Sequence, residues 1–341
     1  MATESRAGWM KSGKFGMMVH WLAPGPEPQH GPRVTDLDRA VDAFDVDRFL
    51  SDFRRTRADW LIFTIGQNTG YYASPNSVLD ALAGPGHCPR RDLVLEIAMR
   101  VKAMGRRFIA YLPCEVAGQS DGIKRAFGWE SGNGTGQEEF QRRYTGFVRE
   151  YALRFGALLD GWWFDGAYTW PVFHNSLING ELFLGAARAG NGNAAVAFND
   201  GSFCCGLSSP VLAGQDYLSG ETEVLIGGKI RYGREKDSPL LAPATHVPQP
   251  PPLCLWHALV PIDCMWAHCC GYEPWPGSAF AGMPGPGTME RPVYRISDLE
   301  ILVRDFKAAG GGVTFNAGIF QEGGLGPETV AQLEELASRF S

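Results

Sequence analysis

The sequence predicts an α/β fold, a single (β/α)8 TIM-like barrel that forms one catalytic domain over residues 1–341. Three observations support this prediction. Short apolar runs recur along the chain, and each ends in polar residues. Several of the intervals carry helical periodicity, and such strand–helix alternation is typical of parallel βα units. The length exceeds the roughly 250 residues common for this barrel, so we expect long loops.

The predicted strands are short apolar runs that follow one another in chain order. They are FGMMVHW (15–21), WLIFTIGQN (60–68), RFIAYLPCE (107–115), GWWFDGAY (161–168), AAVAFNDG (194–201), GQDYLSGE (214–221), PIDCMWAH (261–268) and GVTFNAG (312–318).

The predicted helices have apolar residues at helical spacing and lie between these strands. They cover 45–57, 91–105, 138–156 and 296–311, and a closing amphipathic helix covers 326–340. The interval after the fifth strand is too short for a full helix, and 222–260 is rich in proline. We therefore expect an irregular excursion late in the barrel, and no appended second domain.

Composition narrows the range of partners. The formal charge is −6 without a Lys/Arg run, so we expect no nucleic-acid partner. We also expect no signal peptide and no membrane span, because no long apolar stretch occurs. The eight cysteines form no CxxC pair and are interpreted as reduced thiols, which favours a cytoplasmic protein. The Trp and Cys density around 254–275 would suit an oligomer contact as well as a pocket wall.

The strand ends carry the candidate chemistry, because a barrel of this type has its active site at the C-terminal ends of its strands. Polar and aromatic residues gather there: His20, Trp21, Gln67, Asn68, Cys114, Glu115, Asp165, Asn199, Asp200, Asp216, Glu221, Trp266, His268 and Asn316. Aromatic rings stack on sugar C–H faces, and glycoside hydrolysis requires two carboxyl groups. The sequence therefore predicts a carbohydrate site.

Asp165 ends the apolar strand of GWWFDGAY (161–168). Taken alone, an Asp at this place is equally compatible with a helix cap or a turn. The other polar strand ends favour a role in chemistry. Trp162 and Trp163 are expected to pack in the barrel wall and core, and His20 alone would suit a core histidine.

Seven segments together resemble the alpha-L-fucosidase family of retaining glycoside hydrolases, in the family's order and spacing. They are KFGMMVHW (14–21), RRDLVLEIAMRVKAMGRRFIAYLP (90–113), GWWFDG (161–166), FNDG (198–201), QDYLSGE (215–221), DCMWAHCCGY (263–272) and FKAAGGGVTFNAGIFQEGGLGPETVAQLEEL (306–336). The resemblance covers the catalytic barrel, without the family's C-terminal β-sandwich.

The resemblance implies roles for individual residues. Asp165 matches the nucleophile, His20 a histidine that hydrogen-bonds the sugar, and Trp266 an aromatic beside the sugar. Glu221 is the preferred acid/base, with Glu223 and Glu115 as alternatives. The remaining expected substrate-binding residues are Trp21, Gln67, Asn68, Tyr71, Glu115, Trp163, Asn199 and Asp216.

One departure from the family lies in GQNTGYY (66–72), where Gln67 and Asn68 replace a histidine pair. Amides donate and accept hydrogen bonds but carry no charge. Sugar recognition is expected to persist, while the sugar preferred could differ from L-fucose.

The predicted function is an exo-acting retaining glycoside hydrolase that removes a terminal fucose-like sugar, with no cofactor and no metal. Two alternatives are a glycosidase for a different sugar and a catalytically silent carbohydrate-binding barrel. A metal-dependent enzyme would use His20, Asp200, Asp216 and His268, and a zinc site could form from Cys264, His268 and Cys269.

Overall fold

The computed structural model describes residues 4–130, 137–168, 178–201, 207, 209–231, 236–247, 249–270, 279–280 and 284–340. Its strands are β1 Gly16–Val19, β2 Trp60–Thr64, β3 Arg107–Pro113, β4 Gly161–Asp165, β5 Ala195–Phe198, β6 Leu225–Ile226, β7 Lys229–Ile230, β8 His257–Pro261 and β9 Gly312–Ala317.

The helices are α1 Trp9–Ser12, α2 Leu37–Asp42, α3 Val46–Thr56, α4 Ser77–Ala83, α5 Leu93–Ala103, α6 Asp121–Phe127, α7 Glu138–Phe155, α8 Gly180–Ala187, α9 Ile296–Ala308 and α10 Pro327–Ser338, with a 3₁₀ turn at Gly156–Leu158. The carboxylates of Asp45 and Asp92 cap α3 and α5 by accepting backbone N–H groups. The helices predicted from periodicity are thus present with bounds within a few residues.

Seven strands form one parallel sheet in the order β5-β4-β3-β2-β1-β9-β8. This order is that of a barrel wall, and the predicted single TIM-like α/β barrel is confirmed. The short pair β6–β7 is antiparallel and lies in the Pro-rich region predicted to be irregular.

The predicted sixth strand, 214–221, is present as isolated bridges rather than as a regular strand. Tyr217 and Glu221 form single parallel bridges with Leu255 and Leu259. On the other side, the Asp216 N–H donates to the Val196 carbonyl at 2.8 Å. This segment therefore joins β5 to β8 and closes the ring. Its regularity is broken at Gly220, which has φ +69°.

The side chains of β4 alternate between the two faces of the wall, as period-two geometry requires. Trp162 and Phe164 belong to the core between the wall and the helices. Trp163 belongs to the barrel interior, where its ring stacks on that of Tyr111 at a centroid distance of 5.3 Å. Asp165 follows the same alternation and therefore faces the barrel mouth. Among the described residues, no helix is both long and apolar enough to cross a membrane.

Candidate active site

The carboxylate of Asp165 lies at the end of β4 and accepts hydrogen bonds on both oxygens. Its Oδ1 accepts from the Gly166 N–H at 2.8 Å, the Asn199 amide at 2.8 Å and the Tyr168 hydroxyl at 3.2 Å. Its Oδ2 accepts from the Tyr111 hydroxyl at 2.5 Å and the Gln67 amide at 3.5 Å. Donors from four strand ends thus hold one carboxylate in a fixed orientation, which is the preorganisation that a nucleophile requires.

Asn199 connects Asp165 to a second carboxylate. Its Nδ2 donates to Asp165 Oδ1 and also to Glu221 Oε2. Two hydrogen bonds from one nitrogen place the two accepting oxygens no more than about 6 Å apart. Glu221 follows Gly220 in the irregular sixth segment, so the break in that strand brings its carboxyl to the barrel mouth.

The other two candidate acids have different surroundings. Glu223 is buried, and its Oε1 accepts from the Trp266 indole N–H at 3.2 Å. Glu115 packs directly behind Asp165, since a Cβ at Gly166 would lie 2.5 Å from Glu115 Cγ. Burial raises the pKa of Glu115 to about 7, against the Ala117 N–H bond that lowers it. Glu115 is thus a buried carboxyl, close to Asp165, that takes up its proton near pH 7.

His20 is a neutral hydrogen-bonding group at the end of β1. Its Nδ1 lies 2.7 Å from Asn316 Oδ1, while Asn316 Nδ2 donates to the Trp266 carbonyl. Nδ1 must therefore carry the proton, which leaves Nε2 as an acceptor. Burial lowers the pKa of His20 to about 4, outweighing the Asn316 bond and the charge of Asp165. A sugar hydroxyl is a suitable donor to Nε2.

These groups surround a cavity of about 330 Å³ at the barrel mouth. The described residues that line it are His20, Leu22, Gln67, Asn68, Trp163, Asp165, Tyr168, Gly201, Glu221, Glu223, Leu259, Trp266, Ala267 and Cys270. The structure therefore brings most of the expected site residues together. Trp266 has φ +64°, a left-handed conformation that is costly for a bulky residue and is common at functional sites.

Other expected site residues lie away from this lining. Trp21 is fully buried and its indole donates to the Gln321 carbonyl at 2.9 Å. Tyr71 is exposed and packs against the ring of His87. Glu115 lies beside Gly166, and Asn199 donates directly to Asp165 and Glu221, although neither residue is part of the cavity lining.

Asp216 lies at the opposite end of the barrel from Asp165. Its carboxylate pairs with Arg188 at 2.6 Å and Arg6 at 3.3 Å, and it accepts the Val196 N–H at 2.9 Å. Glu221 is five positions further along the chain, and a strand rises about 3.3 Å per residue, so the two acids cannot share one strand end. The set His20, Asp200, Asp216 and His268 therefore does not converge as one metal site.

Tyr111 and Tyr168 contact Asp165 although neither was predicted from the sequence as a site residue. Tyr111 is one residue of a strand whose alternation places it on the same face as Trp163, its register partner. Period-two alternation in the sequence could place Tyr111 on one face of β3, but its position beside Trp163 follows from the pairing of the strands. Gln67 is placed by a second contact, since its amide donates to the Tyr111 hydroxyl at 2.6 Å.

No protein-family model matches the sequence, and no curated protein matches it. Solved structures do match. An endo-fucoidan hydrolase from glycoside hydrolase family 107 matches with a TM-score of 0.65 and 17% identity over 98% of this chain and 53% of that chain. This chain thus spans about half the length of that relative.

A second endo-fucoidan hydrolase of family 107 matches with a TM-score of 0.64 and 14% identity, over 98% of this chain and 93% of the other. The alpha-L-fucosidase AlfC from Lactobacillus casei, in complex with its alpha-L-fucose product, has a TM-score of 0.56 and 14% identity over 98% of both chains. The chain thus has the single α/β barrel fold of these glycoside hydrolases.

Proposed function

We propose that the protein is a retaining glycoside hydrolase that removes a terminal fucose-like sugar. The observation that carries this proposal is the pair Asp165 and Glu221, held by one Asn199 amide at a cavity of monosaccharide size. Retaining enzymes hold their two carboxyl groups about 5–5.5 Å apart, whereas inverting enzymes leave about 6.5–9.5 Å for a water. A shared amide nitrogen fits the shorter separation.

The mechanism has two displacements. Asp165 attacks the anomeric carbon, the bond to the leaving oxygen breaks, and the protonated Glu221 transfers its proton to that oxygen. Glu221, now ionised, then takes a proton from water. The water oxygen bonds to the anomeric carbon, and the ester bond to Asp165 breaks.

The cavity walls supply the sugar contacts. The neutral Nε2 of His20 accepts from a hydroxyl, and the amides of Gln67 and Asn68 can each donate and accept. The rings of Trp266 and Trp163 offer apolar faces to the sugar C–H groups. Gln67 and Asn68 stand where the alpha-L-fucosidase family has two histidines. This replacement favours one alternative among glycosidases, an enzyme for another deoxy sugar or for a pentose.

The structural neighbours support the choice of sugar. They are endo-fucoidan hydrolases and an alpha-L-fucosidase, and all have this fold at 13–18% identity. Because the identity is this low, the preferred sugar and the exo mode of cleavage are parts of the proposal. A panel of aryl glycosides tests both. We expect the protein to hydrolyse an aryl alpha-L-fucoside with retention of configuration at the anomeric carbon. NMR spectra of the released sugar measure that configuration.

The acid/base assignment is tested with three matched variants, Glu221→Gln, Glu223→Gln and Glu115→Gln. Glu221→Gln is expected to lose activity on a poor leaving group and to keep formation of the glycosyl-enzyme with an activated aryl leaving group. Added azide should then restore turnover and give a glycosyl azide of retained configuration. If this pattern appears instead in Glu223→Gln, that residue is the acid/base. If no glycoside of the panel is hydrolysed while a sugar still binds by calorimetry, the barrel is a binding protein.

A further inference from the structure

A second cluster of reactive side chains lies beside the cavity, on the segment that follows β8 and on the chain near residue 290. One potential ligand atom each from His268, Cys269 and Glu290 lies within 4.8 Å of the others. None of these three groups takes part in the proposed hydrolysis. Cys264, which the sequence grouped with His268 and Cys269, is replaced in this cluster by Glu290.

The hydrogen bonds of the cluster orient the imidazole of His268. Its Nδ1 lies 2.5 Å from Glu290 Oε2, and the side chains are 1% and 12% exposed. The other oxygen, Glu290 Oε1, accepts the Cys269 N–H at 2.9 Å. With Nδ1 donating to the carboxylate, Nε2 is the nitrogen that carries the lone pair in the neutral imidazole. A histidine that donates to a carboxylate from one nitrogen is the usual arrangement of a metal ligand that binds through the other.

The free lone pair faces a thiol. Cys269 Sγ lies 3.6 Å from His268 Nε2. Zinc binds thiolate sulfur at about 2.3 Å and imidazole nitrogen at about 2.0–2.1 Å, so a tetrahedral angle separates these two ligands by about 3.5–3.6 Å. The observed separation therefore equals one edge of a zinc tetrahedron. A thiol–imidazole hydrogen bond also fits this distance, and the experiment must separate the two.

The charges around the thiol are those of a cation site. The carboxylates of Glu290 and Glu27 both exert their charge on the thiol of Cys269. A divalent cation is attracted by both carboxylates and binds the deprotonated sulfur. Cys269 also has φ +53°, a left-handed conformation uncommon for this residue, which a bound ion would hold in place.

We propose that Cys269 Sγ and His268 Nε2 bind a zinc ion, with Glu290 orienting the histidine. The thiol proton is released to solvent as the sulfur–zinc bond forms, and water or a carboxylate oxygen completes the coordination. The ion fixes the segment that carries Trp266, Ala267 and Cys270 in the cavity wall. The inference does not depend on the proposed hydrolase function, because it concerns binding of a metal rather than turnover.

The test uses the full chain, freed of metal with a chelator under reducing conditions and titrated with Co²⁺ as a spectroscopic substitute for Zn²⁺. Wild type is expected to bind one equivalent with a thiolate-to-cobalt absorption band, which Zn²⁺ then displaces. Cys269→Ser and His268→Gln should lose the band, and Glu290→Gln should weaken binding about 10–100-fold. Cys270→Ser, a thiol in the same segment but outside the cluster, serves as the matched control and should retain it.

Two results would overturn the proposal. One is a wild-type chain that shows no thiolate–cobalt band. Rapid alkylation of Cys269 by iodoacetamide in that chain would then identify Cys269 and His268 as a reactive thiol–imidazole pair. The other is an unchanged band in Cys269→Ser. If Cys269→Ser is poorly folded, His268→Gln provides the same measurement with the thiol intact.

Discussion

Replacing the nucleophile candidate by its amide, Asp165→Asn, tests the site with two separate measurements. The carboxylate accepts from five donors, and two of those on Oδ1, the Gly166 N–H and the Asn199 amide, cannot become acceptors. The new carbonyl must therefore take the Oδ1 position, and the new NH₂ group then faces the Tyr111 hydroxyl. That hydroxyl can accept from it, but its own proton loses its acceptor.

The size of the stability effect follows from the one hydrogen bond that Asp165→Asn loses. Tyr111 is fully buried, and one buried donor without an acceptor costs about 1–3 kcal/mol. Asp165→Asn should therefore remain folded, with a free energy of unfolding lower by that amount in urea denaturation. Its kcat on an aryl alpha-L-fucoside should fall by about 10⁴–10⁶-fold, because the variant lacks the attacking carboxylate.

A matched variant separates the two effects. Asp160 precedes the same strand at the other end of the barrel, where its carboxylate pairs with Lys102 at 2.8 Å and Arg107 at 2.7 Å. Asp160→Asn should lose stability while kcat stays within a few fold.

In Asp165→Ala, azide should restore turnover and give a glycosyl azide of inverted configuration. Turnover of Asp165→Asn within ten-fold of wild type would refute the assignment of the nucleophile.

Three further predictions concern the surroundings of the site. Tyr111→Phe removes the hydroxyl that donates to Asp165 at 2.5 Å, so kcat/KM on the aryl glycoside should fall about 10–100-fold; an unchanged value contradicts the orienting role. Burial raises the pKa of Glu115 from 4.5 to about 7, so the folded chain holds a proton that the unfolded chain releases in this pH window. Stability should therefore fall by about 3 kcal/mol as the pH rises through the window, and urea denaturation of Glu115→Gln should lack this contribution. A Cβ at Gly220, at φ +69°, would lie 2.1 Å from a backbone oxygen of β8. Gly220→Ala should therefore lower the free energy of unfolding, measured in urea, by more than about 3 kcal/mol. In the control Gly192→Ala the new Cβ meets nothing within 4 Å, and the loss should be less than about 1 kcal/mol. If the two variants lose equal free energy of unfolding, the sixth segment adapts to the added methyl group and the reasoning is wrong.

The order of the barrel could be predicted because local patterns encode it. Apolar runs with polar ends mark most of the strands, and helical periodicity marks α3, α5, α7, α9 and α10. The strand predicted at 261–268 is wrong in its bounds, because β8 covers His257–Pro261 and the chain after it turns. The alternation in β4 also predicts that Asp165 and Trp163 share one face, as the structure has them. The sixth segment departs from a regular strand because Gly220 takes a left-handed conformation, which no apolar pattern indicates.

The sequence by itself determined the kind of fold and placed Asp165 at a strand end. Only the tertiary structure decided which side chains meet it. The Asn199 amide that joins Asp165 to Glu221, the Tyr111 hydroxyl and the cluster at Glu290 each connect residues far apart in the chain. Local spacing encodes the period of an element, whereas such contacts depend on the register between strands and on the path of the loops, which are set by packing of the whole ring.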